Sequence, residues 1–222
     1  MKKCVVIGIS GASGSGKSLF ASTIIKNFHS SDVSIISEDM YYRSQDHLSL
    51  EERKRTNYDH PAAFEHNLLV EHIMQLRDGF SIEAPTYDYV RSTRATTTKL
   101  ICACSVLIVE GILLLYDEEL RNMLDISIYI DTPLDICLSR RIVRDIQERG
   151  RTAEGTIKQY QESTRPMFLK YVQPSKTYAD IIVPHGGKNE VAVNIIEEKI
   201  KSILTLSKSN YVQTTALHSS IS

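Results

Sequence analysis

An α/β fold, in which a parallel sheet is covered by helices on both faces, is predicted by three observations. Short β-branched runs alternate with helical patterns along nearly the whole chain. A glycine-rich stretch, Gly11 to Ser18, lies between the first such run and the first helical segment. The length of 222 residues suits one well-buried domain and falls short of two comfortable ones.

The strands are read at Val5-Val6-Ile7-Gly8-Ile9, Val33-Ser34-Ile35-Ile36, Val106-Leu107-Ile108-Val109, Ile126-Ser127-Ile128-Tyr129-Ile130 and Ile181-Ile182-Val183. Helices are read at Leu19–Ile25 and at about 62–78, 133–149, 154–172 and 189–207. For the helix near 133, Thr132 is a candidate cap, Pro133 suits the first position and Asp135 stands where a capping-box acid would. Between Gly79 and Lys99, Pro, Tyr, Thr and Arg replace the aliphatic pattern, which predicts a β-hairpin projecting from the sheet at about 79–100. The single domain is bounded at 1–208, and residues 209–222 read as a polar, patternless tail. No internal repeat is present.

Gly11-Ala12-Ser13-Gly14-Ser15-Gly16-Lys17-Ser18 matches G-x-x-x-x-G-K-[ST] in full. Glycines let the backbone turn tightly and aim successive N–H groups inward, a concavity that suits an anion. The helix that follows adds the positive end of its dipole. Lys17 supplies a mobile cation for outer phosphates, and the Ser18 hydroxyl suits a magnesium ion. Strand, loop and helix in this order imply binding of a nucleoside triphosphate.

Composition narrows the partners. Lys and Arg number 26 against 27 Asp and Glu, a net charge of −1, so there is no electrostatic footprint for nucleic acid or an anionic membrane. Cys4, Cys102, Cys104 and Cys137 are too few and scattered for a disulfide framework, and no second Cys/His pair completes a zinc site. No apolar leader precedes the glycine loop, and the run from Val106 to Leu115 is broken by Glu110 and too short to span a membrane. The expectation is a soluble cytoplasmic protein.

Ligands of open α/β sheets gather at the carboxyl ends of the strands. Glu110 ends one apolar strand, where an acid helps hold magnesium. Asp39 ends another and could take a proton from an acceptor hydroxyl, with Glu38 and Asp46 as rivals. Arg140, Arg141, Arg144, Arg149 and Arg151 crowd the end of one helix, where Asp145 and Glu148 offset part of the like-charge repulsion. They form either a solvated face or a lid, over about 140–160, that closes on phosphates. Tyr87 and Tyr89 share one strand face, suited to stacking on a planar ring or to cross-strand packing. In Asn57-Tyr58-Asp59-His60-Pro61, His60 takes a cap position and Asp59 lies outside it, available to a sugar's hydroxyls or left as an imperfect cap.

Taken together, these pieces resemble the uridine kinases (uridine–cytidine kinases) from about Val5 to Ile203. The likeness is carried by the glycine loop, Ser37-Glu38-Asp39-Met40-Tyr41-Tyr42, Asn57 to Pro61, Pro85 to Tyr89, and Val109-Glu110-Gly111-Ile112-Leu113. It continues in Asp145 to Arg151, Arg165-Pro166-Met167-Phe168, Tyr178-Ala179-Asp180 and Pro184 to Asn189. The resemblance implies a P-loop kinase fold with a projecting hairpin and a helical arginine lid. It implies transfer from ATP or GTP to the 5′-hydroxyl of uridine or cytidine, with Asp39 as general base. It further implies Ser18, Asp39 and Glu110 around magnesium, and Asp59, Arg141 and Gln159 around the nucleoside's sugar. Tyr87 and Arg151 match positions near the pyrimidine, with Tyr58 and Tyr89 as aromatic walls. Arg144 and Arg149 match phosphate-facing positions, and Lys188 a position beside the donor nucleotide. A homotetramer with feedback inhibition by pyrimidine triphosphates is likewise implied. One position departs: in Tyr89-Val90-Arg91-Ser92-Thr93-Arg94, Ser92 stands where the family has a histidine that bonds the pyrimidine edge. The rival readings are a related kinase for a sugar phosphate or pantothenate, a GTP-driven switch and a nucleotide-binding module. The switch is opposed by the lack of Asn-Lys-x-Asp and Asp-x-x-Gly sequences.

Overall fold

The computed structural model describes residues 4–219. In chain order its main elements are β1 (Val5–Gly11), α1 (Lys17–Ile25), β2 (Val33–Ser37), α2 (Leu50–Arg55), α3 (His66–Arg77), β3 (Ile82–Asp88) and β4 (Thr93–Ile101). They continue with β5 (Val106–Gly111), α4 (Glu118–Asn122), β6 (Ile126–Asp131), α5 (Leu134–Arg149), α6 (Ala153–Gln159), β7 (Ile181–Pro184) and a final helix, Glu190–Ser219. Five strands form one parallel sheet in the order β2-β5-β1-β6-β7.

Apolar side chains on alternate strand positions feed two cores, as a sheet with both faces buried requires. Val6, Ile36, Leu107 and Val109 pack against Leu69, Val70, Ile73 and Leu76 of α3. Ile7, Ile9, Ile108, Ile128 and Ile130 pack on the other face against Phe20, Ala21 and Ile24 of α1 and Val193, Ile196 and Ile200 of the final helix. In the register of the central strands, Ser37 lies beside Glu110, and Ser10 beside Gly111. The glycine loop, Glu110 and the turn after β2 therefore leave the sheet at the same edge. β3 and β4 form a separate antiparallel pair, the hairpin expected at 79–100.

Several elements differ from the sequence reading. The helix expected over 62–78 is a 3-10 turn, Pro61–Ala63, followed by α3 from His66. Between them Phe64 is extended and buried, stacked on the Tyr42 ring at 4.3 Å, and that burial outweighs helical continuity. Thr132 does not cap α5: Pro133 is extended, and the Thr132 hydroxyl donates instead to the Ser15 carbonyl at 2.9 Å. The helix expected over 154–172 is α6 followed by π-helical turns at Tyr160–Thr164 and Phe168–Val172, interleaved with short α-helical segments that reach Ser175. Pro166 and Pro174 each withhold a backbone N–H from the α-helical ladder, which explains why it loosens here. Helix α2 was missed although Ser49 and Glu52 form a full capping box; α4, capped by Asp117, was missed too. The final helix continues to Ser219, through most of the stretch expected as a tail, because no Gly or Pro after Asn189 stops it; residues 220–222 lie outside the described ones. Among the described residues no helix is long and apolar enough to cross a membrane.

Candidate active site

The glycine loop is held in a left-handed backbone that only glycine adopts without strain. Gly14 has φ +83° and Gly16 φ +96°. A Cβ on Gly14 would stand 2.4 Å from the Cys137 carbonyl oxygen, so α5 packs directly on the loop. From behind, the Ser15 carbonyl accepts hydrogen bonds from Thr132 and, at 3.2 Å, from Arg140. The turn Gly186–Lys188 packs against the same loop, with the Gly187 nitrogen 2.7 Å from where a Cβ on Gly16 would lie. Ser13, Lys17 and Ser18 face a cavity of about 320 Å³, the size range of small-ligand sites.

Glu110 and Asp39 are two of the four acids that line that cavity, with Asp59 and Glu148. The Ser18 hydroxyl donates to Glu110 at 3.1 Å, and Ser37 lies beside Glu110 in the strand register. Burial pushes the Glu110 carboxyl above the usual carboxylate range; Lys17 opposes the shift and Asp39 adds to it. Asp39, on the 3-10 turn Glu38–Tyr41, accepts a hydrogen bond from the Tyr89 hydroxyl at 3.1 Å. Its rivals point elsewhere. Asp46 is exposed and outside the cavity, bonded to Ser44 and Thr93.

Glu38 turns inward and is wholly buried, accepting from the Leu113 amide at 3.0 Å and paired with His66 at 2.9 Å. The other His66 nitrogen meets Asp117 at 3.0 Å. Burial alone would lower this imidazole's pKa, but its two carboxylate partners raise it to about 9, so it is cationic at neutral pH. This triad, in which Glu38 and His66 are buried and Asp117 is half-buried, escaped the sequence reading. It explains Gly111: a Cβ there would meet a Glu38 oxygen at 2.2 Å.

The rest of the lining comes from the 57–61 segment, the hairpin and the segment α5–α6. Tyr58, Tyr87, Tyr89 and Ser92 line it together with Tyr42, whose ring is 4.9 Å from that of Tyr87. Tyr87 and Tyr89 meet edge to face at 5.2 Å. Ser92 is buried in the hairpin turn at φ +52°, and its carbonyl accepts from the Tyr58 hydroxyl at 2.9 Å. His60 caps the 3-10 turn through its ring nitrogen and the Ala62 amide, which leaves Asp59 free to face the cavity. Asp59 accepts from the Thr164 hydroxyl at 2.9 Å and lies 3.8 Å from Arg141.

The arginines are no solvated face. Arg141, Arg144, Arg149 and Arg151 all line the cavity and all converge on Asp145, which is fully buried. Gln159 accepts from Arg141 at 3.0 Å and from Arg151. The Arg149 guanidinium lies 4.4 Å over the Tyr89 ring.

The structure thus gathers Ser13, Lys17, Ser18, Asp39, Tyr58, Asp59, Tyr87, Tyr89, Ser92, Glu110, Arg141, Arg144, Arg149, Arg151 and Gln159 around one cavity. Lys188 is not among them: it is exposed on the turn behind the glycine loop. Ser37, Tyr42, Ile112 and Glu148 also line the cavity and were not singled out. Tyr42 carried a usable signal, being an aromatic three residues after Asp39. The oxygen-only set of Ser18, Asp39 and Glu110 fits a hard divalent cation, which would offset the cost of burying Glu110.

A parallel sheet with this glycine loop at its carboxyl edge and arginines opposite defines a P-loop kinase fold. Solved structures share it. D-glycerate 3-kinase from Cryptococcus neoformans superposes with a TM-score of 0.58 at 15% identity, covering 79% of this chain and 81% of that one. A Bacillus stearothermophilus protein described as a possible uridine kinase gives 0.55 at 17% identity, covering 82% and 90%. Sequence similarity is more specific. Residues 6–192 match the model of the phosphoribulokinase/uridine kinase family. The uridine kinase of Shewanella amazonensis is 52% identical over 207 residues, covering 91% of this chain and 98% of the relative. That of Vibrio cholerae is 50% identical over 206 residues, covering 91% and 97%. The chain belongs to the phosphoribulokinase/uridine kinase family.

Proposed function

We propose that this chain is a uridine kinase, transferring the γ-phosphoryl group of ATP or GTP to the 5′-hydroxyl of uridine or cytidine in pyrimidine salvage. One observation carries the reading: Ser13, Lys17 and Ser18 of the glycine loop, Asp59 with Arg141 and Gln159, and Asp39 all line a single cavity. The identity of about half the residues to uridine kinases over nine-tenths of the chain supports the substrate.

In this reading the loop amides and Lys17 grip the triphosphate. Asp59, Arg141 and Gln159 hold the ribose so that its 5′-oxygen lies in line with the γ-phosphorus, which converts an encounter into a positioned reaction. Asp39 takes the proton as that oxygen attacks. Arg144 and Arg149 neutralise charge on the transferring group and exclude water, which would compete as acceptor. Magnesium, held by Ser18, Asp39 and Glu110 when bound with the nucleotide, supplies further neutralisation of phosphate charge. Tyr87 and Arg151 meet the pyrimidine between the Tyr58 and Tyr89 rings, and Ser92 reaches the base edge directly or through water. Lys188 lies beside the donor nucleotide. The proposal extends to a cytoplasmic homotetramer inhibited by pyrimidine triphosphates, with no nucleic-acid or membrane partner.

Measuring ADP release with uridine, cytidine, sugar phosphates and pantothenate tests the substrate class. Release should depend on the pyrimidine nucleosides and match the nucleoside monophosphate formed. Release driven by a sugar phosphate or pantothenate would overturn the reading.

A further inference from the structure

We propose that Asp145 couples the two halves of the cavity, so that a bound donor nucleotide tightens the grip on the nucleoside. The proposal rests on the assignment above of Arg144 and Arg149 to phosphate and of Arg141 and Arg151 to the nucleoside.

The two oxygens of this one carboxylate are divided between those pairs. Oδ1 accepts from Arg144 Nε at 3.1 Å and Nη2 at 2.9 Å, with Arg149 Nη1 at 3.7 Å. Oδ2 accepts from Arg151 Nη1 at 3.3 Å, with Arg141 Nε at 3.7 Å. A single negative charge thus serves four cations, of which only Arg144 and Arg151 are at hydrogen-bonding distance. Arg141 and Arg149 receive least, each at 3.7 Å, and the Arg141 Nε is buried without a hydrogen-bond partner. Arg141 is nevertheless tied both to Gln159 at 3.0 Å, which Arg151 also reaches, and to Asp59 at 3.8 Å.

The arginine bound best by Asp145 is also among the most exposed. Arg144 and Arg151 each keep 30% of their side-chain surface exposed, against 17% for Arg149 and 6% for Arg141. A polyphosphate offers Arg144 and Arg149 stronger, multiply charged acceptors. As they turn to it, Oδ1 is vacated and the carboxylate's charge falls on Arg141 and Arg151. Arg141 Nε then closes from 3.7 Å to an ordinary hydrogen bond of about 2.9 Å, which fixes the guanidinium between Asp59 and Gln159. Donor and acceptor sites are thereby linked, and the linkage is reciprocal: each ligand improves the other's affinity by the same factor.

Calorimetric titration of uridine, with and without a non-hydrolysable ATP analogue in magnesium, tests this. In the wild-type enzyme the analogue should tighten uridine binding at least about fivefold. Asp145→Asn keeps one acceptor oxygen and turns an NH2 group on the other pair, so the ratio should fall to about one. Arg144→Met leaves Asp145 paired with its other arginines and imitates withdrawal of Arg144. Uridine should bind this variant more tightly without nucleotide, approaching the wild-type value with it. A wild-type ratio of one, a ratio unchanged in Asp145→Asn at a preserved melting temperature, or an unchanged uridine affinity in Arg144→Met would each overturn the coupling alone. No uridine binding by the wild-type enzyme under either condition would overturn the subsite assignment and the coupling with it.

Discussion

The two walls of the cavity are built by opposite means. In the reading proposed above the donor wall is backbone: glycines in left-handed conformations and a carbonyl pinned from behind by Thr132 and Arg140. Its acceptor counterpart is side chain: tyrosines from the hairpin and long arginines gathered on one buried acid. A triphosphate tail is the same in every donor, so rigidity costs nothing there. A nucleoside must be enclosed and released, and arginines sharing one carboxylate can change partners without unfolding anything. Two neighbouring acids on the turn after β2 have opposite surroundings. Glu38 is locked into the core by His66 and Leu113, whereas Asp39 faces the cavity.

The contrast between those acids is broken most severely by Asp39→Asn. Loss of the base should lower kcat by about 10²–10⁴-fold while the affinity for nucleotide, set by the other wall, hardly moves. Single-turnover assays paired with nucleotide titration would check this. Turnover near the wild-type level would remove Asp39 from the role.

His66→Ala attacks the locked acid. Taking one partner from a buried pair leaves Glu38 uncompensated, and stability should fall by about 3–5 kcal/mol. The pH dependence gives a second reading. The folded pKa of His66, about 9, lies above its ordinary value of 6.5, so the unfolded chain releases this proton first as pH rises. The stabilisation is fully present below about 6.5 and lost as pH rises through 9, on the order of 3 kcal/mol in all. Melting temperatures measured across that window should decline in the wild type and stay level in His66→Ala. Equal slopes would show that the imidazole carries no such linkage.

On the acceptor wall, Ser92→His should sharpen discrimination between uridine and cytidine by roughly 1–3 kcal/mol, the range for one buried polar contact. Histidine tolerates the positive φ of this turn better than most residues. Unchanged ratios of kcat/KM for the two nucleosides would contradict base reading at this position. The smallest effect belongs to the donor wall. Thr132→Val removes one of two donors to the Ser15 carbonyl and should raise KM for ATP by several-fold, about 1 kcal/mol, with KM for uridine nearly constant. An equal rise for both substrates would deny that the two walls act separately.

Where physics acts locally, the sequence was legible. Apolar runs bounded by turns identified all five strands of the sheet, and the composition of 79–100 identified the hairpin. The glycine loop was legible because its backbone restricts residue type at fixed spacing. What escaped depends on distant partners. Glu38, His66 and Asp117 are separated by 28 and 51 positions, and no local pattern announces them. Asp145 read as a partial offset to its helical neighbours, whereas folding makes it the centre of the cluster, with Arg151 arriving from beyond the helix end. Thr132 looked like a cap because its local sequence permits one; its hydroxyl was claimed instead by Ser15, 117 residues away.

The central claim is spatial: the two walls bring a pyrimidine ribonucleoside's 5′-oxygen to Asp39. A crystal structure with uridine, magnesium and a non-hydrolysable ATP analogue bound together tests it most directly. The account predicts that oxygen within hydrogen-bonding reach of the Asp39 carboxylate, at about 2.6–3.2 Å, and in line with the γ-phosphorus. A closed complex with the 5′-oxygen several ångströms away, or with another group in its place, would contradict it.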